Sequence, residues 1–355
     1  ERPEETLRGF VTSLTGKGTH NPSPYCRYKS ANTDVLTVIA SAHVDLRQRV
    51  EAICDAAGYE GGFHISLSPE HLPAFSGGAH VVIEMDDHGT RRLNPYSLMS
   101  DPGDLSGYEI SVRRDDAGRG GSLYMHRHVV PGMEMTLSYP VNLFALDNRA
   151  KKHLMIAGGI GITPFLSYLK DGVVRQAGCE LHVCCREEER GVFAPWLPAD
   201  APVSFHWDAD GHRLDVAALL ARQPAGTHLY VCGPSELNAS VLGAAVAAGW
   251  PAHQVHTEHF GSGASGGTAF EAVLKKSGVA VQVAEDESLL EAIERIGVAA
   301  PCLCRGGACG VCVTPLIEGE AEHRDHFLSP ADHAAGQLIM PCVSRSRGAR
   351  LVLDL

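Results

Sequence analysis

In the first half of the chain, short apolar runs alternate with polar positions and are cut by Gly, Pro and Asp. "DVLTVIASA", "AHVVIEM", "YEISVRR", "GSLYMHRHVV" and "EMTLSYP" keep this rhythm up to about residue 147. Many short strands with turn signals predict an antiparallel barrel or sandwich. From Lys151 the rhythm changes. "HLMIAGGIG" is a buried strand running into a glycine turn, followed by the helical "TPFLSYLKDGVVRQAG". The strands "ELHVCCR", "VSFHW" and "THLYVCG" then alternate with the helices "DVAALLARQ" and "SELNASVLGAAVAAG". This alternation predicts a parallel doubly wound sheet. "HFGSGASGGTA" reads as a Gly/Ser linker. The last segment holds a strand pair, the helix "SLLEAIERIG", a cysteine-rich loop and closing strands. The expected division is an N-terminal extension (1–36), a barrel (37–149), an α/β domain (150–258), the linker (259–269) and a small β-grasp-like α+β domain (270–355).

Composition narrows the class. With 355 residues, two or three domains are expected. Apolar residues make up 44% and charged residues 20%, as in soluble globular proteins. No long apolar run predicts a membrane span. The first residues lack the layout of a secretory signal. A formal charge of −12 argues against nucleic-acid binding. Eleven cysteines, an odd and clustered set, argue against a disulfide framework and for metal or redox work in the cytoplasm.

Four of those cysteines fall within "APCLCRGGACGVC". Cys304, Cys309 and Cys312 have C-x4-C-x2-C spacing, and Cys342 follows after 29 residues. This is plant-type [2Fe-2S] spacing, whereas zinc ribbons favour two separated C-x2-C pairs. Gly306, Gly307 and Gly310 are expected to give the loop positive φ and to aim N–H groups at sulfur. Cys302 fits no ligand role and reads as a core or loop residue.

A second constellation is "MIAGGIGITP". Gly158, Gly159 and Gly161, with Thr163 and Pro164 opening the next helix, form a turn where backbone can reach a pyrophosphate. Cys232, Gly233 and Pro234 end a later strand, and in open α/β sheets ligands bind at such ends. Arg186 lies at the end of the strand between them. Glu187, Glu188 and Glu189 beside it would repel a 2′-phosphate, favouring NADH over NADPH, although Arg186 and Arg190 blur this. Cys232 lacks the His and cationic setting of a nucleophile and reads as a nicotinamide contact. The third constellation joins Tyr96 and Ser97 of "LNPYSLMSDP" to Arg113 and the Gly120-Gly121-Ser122 turn. An aromatic or backbone wall for a flavin ring, plus phosphate donors, is what it can supply.

His126 and His128 alternate, so on the expected strand they share one face, which reads as a half-exposed surface rather than a metal site. His323 and His326 in "EAEHRDHFL" suit a fold or partner contact. Trp196, Trp207 and Trp250 read as packing, and the Ala-rich helices as core.

Together, "YSL", "GRGGS", "AGGIGITP", "CGP", the cysteine spacing and the tail "IMPCVSRSRGARLVLDL" resemble the phthalate dioxygenase reductase family over about residues 37–355. The resemblance implies FMN, hydride from NADH, and single electrons passed through a [2Fe-2S] cluster to a separate Rieske-type oxygenase. A flavin converts a two-electron donor into one-electron steps, so it stands between NADH and the cluster. It also implies FMN rather than FAD. Asn94, Tyr96, Ser97, Ser111, Val112, Arg113 and the 120–122 turn would hold the flavin. Thr163 would lie near its N5, Phe260 against its ring, and Glu258 beside Phe260. One departure stands out: the family pattern Arg-x-Tyr-Ser here begins with Asn94, which has neither the charge nor the fork of an arginine. Arg91, Arg92 or Arg113 could compensate. Two alternatives stay open: a di-iron, haem or corrinoid acceptor, and a redox-sensing module with impaired flavin binding and no turnover.

Overall fold

The computed structural model describes residues 72–355 apart from 106, 130–133, 209–210 and 261–265. It also describes the strands Cys26–Arg27, Thr37–Ser41 and Gly62–Leu67. The rest of the 1–36 extension lies outside the described residues.

Two antiparallel sheets build the first unit. One orders Cys26–Arg27, Thr37–Ser41, Glu134–Ser138, His80–Asp87 and Thr90–Ser97; the other pairs Gly62–Leu67 with Tyr108–Arg113. The alternation in His80–Asp87 points Val81, Ile83 and Met85 into a core completed by Leu98, Tyr108, Ile110, Met125 and Leu137. The sequence expectation fails at one place. Residues Gly121–His128 form a helix, not a strand. Gly121 and Met125 are its buried positions, an i, i+4 pair that also looks like alternation in a short window. On this helix His126 and His128 do not share a face. His126 Nε2 meets the Val112 carbonyl at 2.8 Å, while the His128 ring lies 5.0 Å from that of Tyr124.

The second unit is a fully parallel sheet in the order Val203–His206, Cys179–Cys184, Lys152–Gly158, Thr227–Cys232, Val255–Glu258. In chain order this is 3-2-1-4-5. The switch point falls between Lys152–Gly158 and Thr227–Cys232, where such sheets bind ligands. Both strands are almost wholly buried, which their continuous apolar runs predict. Helix Ser235–Ala247 departs from the expected core role. Only Asn238, Val241 and Ala245 are buried, one narrow stripe of it.

Buried and part-buried hydrogen bonds join these two units. Ser167 Oγ accepts from Gly78 N at 3.0 Å, Asp171 Oδ2 from Gly77 N at 3.1 Å, and Lys170 donates to the Met99 carbonyl at 2.9 Å.

His153 in the parallel sheet is completely buried, and neither ring nitrogen has a hydrogen-bond partner among the described residues. Burial, aided by the charge of His228, lowers its pKa to about 4. The folded ring is therefore neutral, and the unfolded chain binds the extra proton in acid. The associated stability is complete above pH 6.5 and is lost as pH falls toward 4. His153→Phe is expected to flatten the acid-denaturation curve over that window. A curve of unchanged slope would contradict this assignment.

The third sheet orders Val279–Val283, Phe270–Leu274, Arg350–Leu353, Thr314–Glu318 and Leu338–Ile339, mixing parallel and antiparallel pairs. Helix Leu289–Arg295, opened by a Ser288/Glu291 capping box, buries Leu289, Leu290, Ala292 and Ile293 against it. The end of the Gly/Ser stretch is tied down. Arg324 donates to the Gly266 carbonyl at 3.1 Å and Arg345 to that of Thr268 at 3.2 Å.

Candidate flavin, nucleotide and iron–sulfur sites

One cavity of about 310 Å³ is walled by all three units. From the barrel come Asn94, Tyr96, Ser97, Ser111 and Arg113. The parallel sheet contributes Ile160, Thr163, Thr257 and Glu258. Phe260 follows, and Cys304, Gly306 and Ala308 supply the third wall.

Three residues of this wall carry a buried polar atom with no partner among the described residues: His80 Nε2, Ser97 Oγ and Ser111 Oγ. An unpaired buried polar group costs about 1–3 kcal/mol. The side chains of Asn94, Tyr96, Ser97, Ser111 and Thr163 edge the cavity with donors and acceptors, which fits a ring system such as a flavin. His80 was missed by sequence reasoning; it reads there only as the polar start of an apolar strand. Val112 is not brought to the cavity. It sits in the barrel core and its carbonyl is engaged by His126.

At the 120–122 turn, Gly120 adopts φ 93° and starts helix Gly121–His128, whose first N–H groups have no side-chain cap. A Cβ on Gly121 would sit 2.4 Å from the Asn94 amide nitrogen, so Asn94 lies directly against this turn. Ser122 lines the cavity, but its hydroxyl accepts from the Asp115 N–H at 3.0 Å. The three candidate arginines separate clearly. Arg91 is held by Glu84 at 2.9 Å and Arg92 by Asp87 at 2.8 Å. Arg113 lines the cavity and has no ion-pair partner among the described residues; its Nη1 lies 3.9 Å from where a side chain on Gly159 would begin. Arg113→Ala is therefore expected to weaken FMN binding by about tenfold or more, the worth of one charged hydrogen bond. Titrating FMN into the apoprotein by fluorescence checks this, with Arg91→Ala expected to change affinity little. Unchanged affinity in Arg113→Ala would refute the role.

The nucleotide turn is a close approach of two strand ends. A Cβ on Gly161 would lie 2.2 Å from the Cys232 carbonyl oxygen, and one on Gly158 2.6 Å from Pro234. A Cβ on Gly233 would lie 2.9 Å from Gly158 Cα. Gly159 has φ 52° and leads through the single turn Gly159–Ile162 into helix Thr163–Lys170, with Pro164 in its first turn. Thr163 is buried and donates to the Ile160 carbonyl at 3.0 Å. Arg186 N donates to Glu189 Oε2 at 3.0 Å, so Glu189 is turned inward and only Glu187 and Glu188 are exposed. Arg190 lies over the rings of Phe205 and Trp207, each 5.8 Å away. The acidic side of this strand end is thus smaller than the sequence suggests, and one of its arginines is committed to packing.

Cys232 is fully buried, with its sulfur 4.0 Å from Glu258 Oε2. Burial and that carboxyl raise the thiol well above its usual range, which argues against a nucleophile, and Cys232 is not among the residues that line the cavity. Burial likewise raises Glu258 to about 8.

Cys304, Cys309, Cys312 and Cys342 gather at one place. Cys312 and Cys342 sulfurs are 3.2 Å apart, and the Gly306 N–H faces Cys304 Sγ at 3.4 Å. The neighbouring Cys309 thiol, with the N–H groups of Gly306, Ala308 and Cys309, holds the Cys304 thiol well below its usual range despite burial. Four clustered sulfurs met by backbone donors fit a [2Fe-2S] cluster. The positive-φ positions differ from expectation. Gly307 (φ 73°) and Gly310 (φ 75°) adopt them, Gly306 does not, and Arg305 does at φ 52°. A Cβ on Gly310 would strike the Phe327 ring at 2.3 Å. Cys302 packs against the ferredoxin core, and burial raises its thiol to about 11.

A flavin-type cavity, a nucleotide switch point and a four-thiolate loop on one chain define a pyridine-nucleotide reductase with an iron–sulfur outlet. The 2Fe-2S iron-sulfur cluster binding domain family matches residues 273–347. The heme-dependent oxidative N-demethylase beta subunit of Ectopseudomonas mendocina is 45% identical over 308 residues, 86% of this chain and 98% of that protein. The carnitine monooxygenase reductase subunit of Escherichia coli is 44% identical over 295 residues, 82% and 92% of the two chains. The solved structure of phthalate dioxygenase reductase, described as a modular structure for electron transfer from pyridine nucleotides to [2Fe-2S], superposes with a TM-score of 0.75. It is 32% identical, with 90% of this chain and 98% of that one covered. The chain belongs to the phthalate dioxygenase reductase family.

Proposed function

We propose that this protein is the NADH-dependent reductase component of a two-part oxygenase system, located in the cytoplasm. The observation that carries the reading is the shared cavity: barrel residues, Thr163 and Glu258 of the nucleotide unit, and the cluster ligand Cys304 all line it. When bound, FMN and the [2Fe-2S] cluster supply hydride acceptance and one-electron transfer. The chain supplies placement. Asn94, the 120–122 turn and Arg113 hold the flavin phosphate, while Tyr96, Ser97, Ser111 and His80 hold its ring. Gly158, Gly159, Gly161, Gly233 and Pro234 admit NADH to the switch point. Thr163, Cys232 and Glu258 shape the place where nicotinamide meets flavin, and Phe260 covers it. Cys304, Cys309, Cys312 and Cys342 ligate the cluster.

The acceptor is a separate terminal oxygenase, with a Rieske-type component as the leading class. A haem-dependent oxygenase is the second reading, favoured by the 45% identity to the beta subunit of an N-demethylase named as heme-dependent. Mixing the NADH-reduced protein with an oxygenase component of each class, and following reoxidation of the cluster, separates them. Rapid reoxidation by the Rieske component alone supports the leading reading. Rapid reoxidation by the haem component alone replaces it with the second.

A further inference from the structure

The barrel meets the parallel sheet through buried and part-buried hydrogen bonds, but it meets the ferredoxin unit through charge. Helix Leu289–Arg295 carries Glu291 and Glu294 three residues apart, on one face. Glu291 Oε2 accepts from Arg119 Nη1 at 2.5 Å. Arg119 directly precedes the 120–122 turn and itself lines the flavin cavity. Glu294 faces two ways. Its Oε2 lies 3.9 Å from Arg91 Nη1 on the barrel, and its Oε1 accepts from Arg305 Nη2 in the cysteine loop. Glu294 and Arg305 side chains are only 14% and 10% exposed, so solvent screens this pair weakly. A cleft of about 490 Å³ lies beside them, walled by Arg91, Arg92 and Arg295 against Asp286, Glu287 and the two helix glutamates. Such a polar contact between domains leaves relative motion open.

Arg305 adjoins Cys304, and its φ of 52° is uncommon for a side chain of its size. The partner that holds it there is the same carboxylate that reaches the barrel. The geometry points to Glu294 as a positioning residue for flavin-to-cluster electron transfer. It fixes the cysteine loop against the flavin barrel, and so sets the distance an electron crosses, without touching the hydride step. This inference rests on the reductase reading above.

Glu294→Gln and, separately, Arg91→Gln in the full-length holoprotein test it. Arg91 lies on the barrel strand Thr90–Ser97, outside the cysteine loop, so its variant remains informative if Glu294→Gln loses the cluster. In anaerobic stopped flow, NADH should bleach the flavin at the wild-type rate in both variants. Cluster reduction should slow about fivefold, the effect of losing roughly 1 kcal/mol of ion pairing on the docked population. Hydrogen–deuterium exchange, which needs no turnover, should quicken at residues 90–92 and 303–308. Unchanged cluster reduction overturns the inference. So does slowed reduction with unaltered exchange, which would mark a charge effect on the cluster potential. A wild-type protein whose flavin NADH does not bleach would instead overturn the reductase reading.

Discussion

Gly161→Ala is expected to cut NADH-driven flavin reduction at least about 100-fold, the scale of a 1 Å misplacement at a reacting centre. The added Cβ would stand 2.2 Å from the Cys232 carbonyl oxygen, 2.6 Å from its carbon and 3.0 Å from Gly233 N. All three are backbone atoms, so no flexible side chain can swing aside. The two strands are paired at Ala157 and Cys232, just before the turn. Relief therefore requires the strand ends to part, which opens the switch point itself. Overpacking of this kind costs about 1–3 kcal/mol in stability, and the larger loss falls on placement of the nucleotide. Stopped-flow reduction by NADH measures it, while the chemically reduced cluster should keep its EPR signal. Gly172→Ala is the control, because nothing lies within 4 Å of its added carbon. A Gly161→Ala protein reduced within about threefold of the wild-type rate would mean the strand ends are not held as close as described.

Cys304→Ser is expected to remove the [2Fe-2S] centre and, with it, single-electron output, while NADH still reduces the flavin. The Cys304 sulfur receives backbone N–H groups that favour its thiolate, and it lies on the flavin side of the loop. Metal binding contributes to folding free energy, so the unit from residue 270 onward should also melt earlier. Iron content, the low-temperature EPR signal and cytochrome c reduction report the change. Cys302→Ser should leave all three intact, since Cys302 lies outside the C-x4-C-x2-C spacing and packs, partly buried, against the core. If Cys304→Ser kept its cluster and Cys302→Ser lost it, the ligand set would be misassigned.

The parts of the molecule legible in the sequence are those where chemistry demands a local pattern. Four cysteines at fixed spacing, and a glycine turn between a buried strand and a helix, need no tertiary knowledge to be read. Buried strands of a parallel sheet likewise announce themselves as continuous apolar runs. Helix Gly121–His128 was misread because eight residues with two buried positions fit either period. The compensation for Asn94 was open for a different reason. Arg91, Arg92 and Arg113 are equivalent by composition, and only the fold commits the first two to Glu84 and Asp87 and turns the third to the cavity. His80 and Glu294 were invisible for the same cause. What surrounds them comes from residues far away along the chain, the cavity lining for His80 and Arg91 for Glu294, and no local pattern encodes that meeting.

The most direct test of the account is an anaerobic titration of the purified holoprotein with NADH, read by visible absorbance and low-temperature EPR. The account predicts that the flavin bands bleach and that a rhombic signal of a reduced [2Fe-2S] centre grows with added NADH. A cluster that dithionite reduces but NADH does not, even with FMN supplied, would contradict it. The cavity shared by barrel, nucleotide turn and Cys304 would then not be a path for electrons.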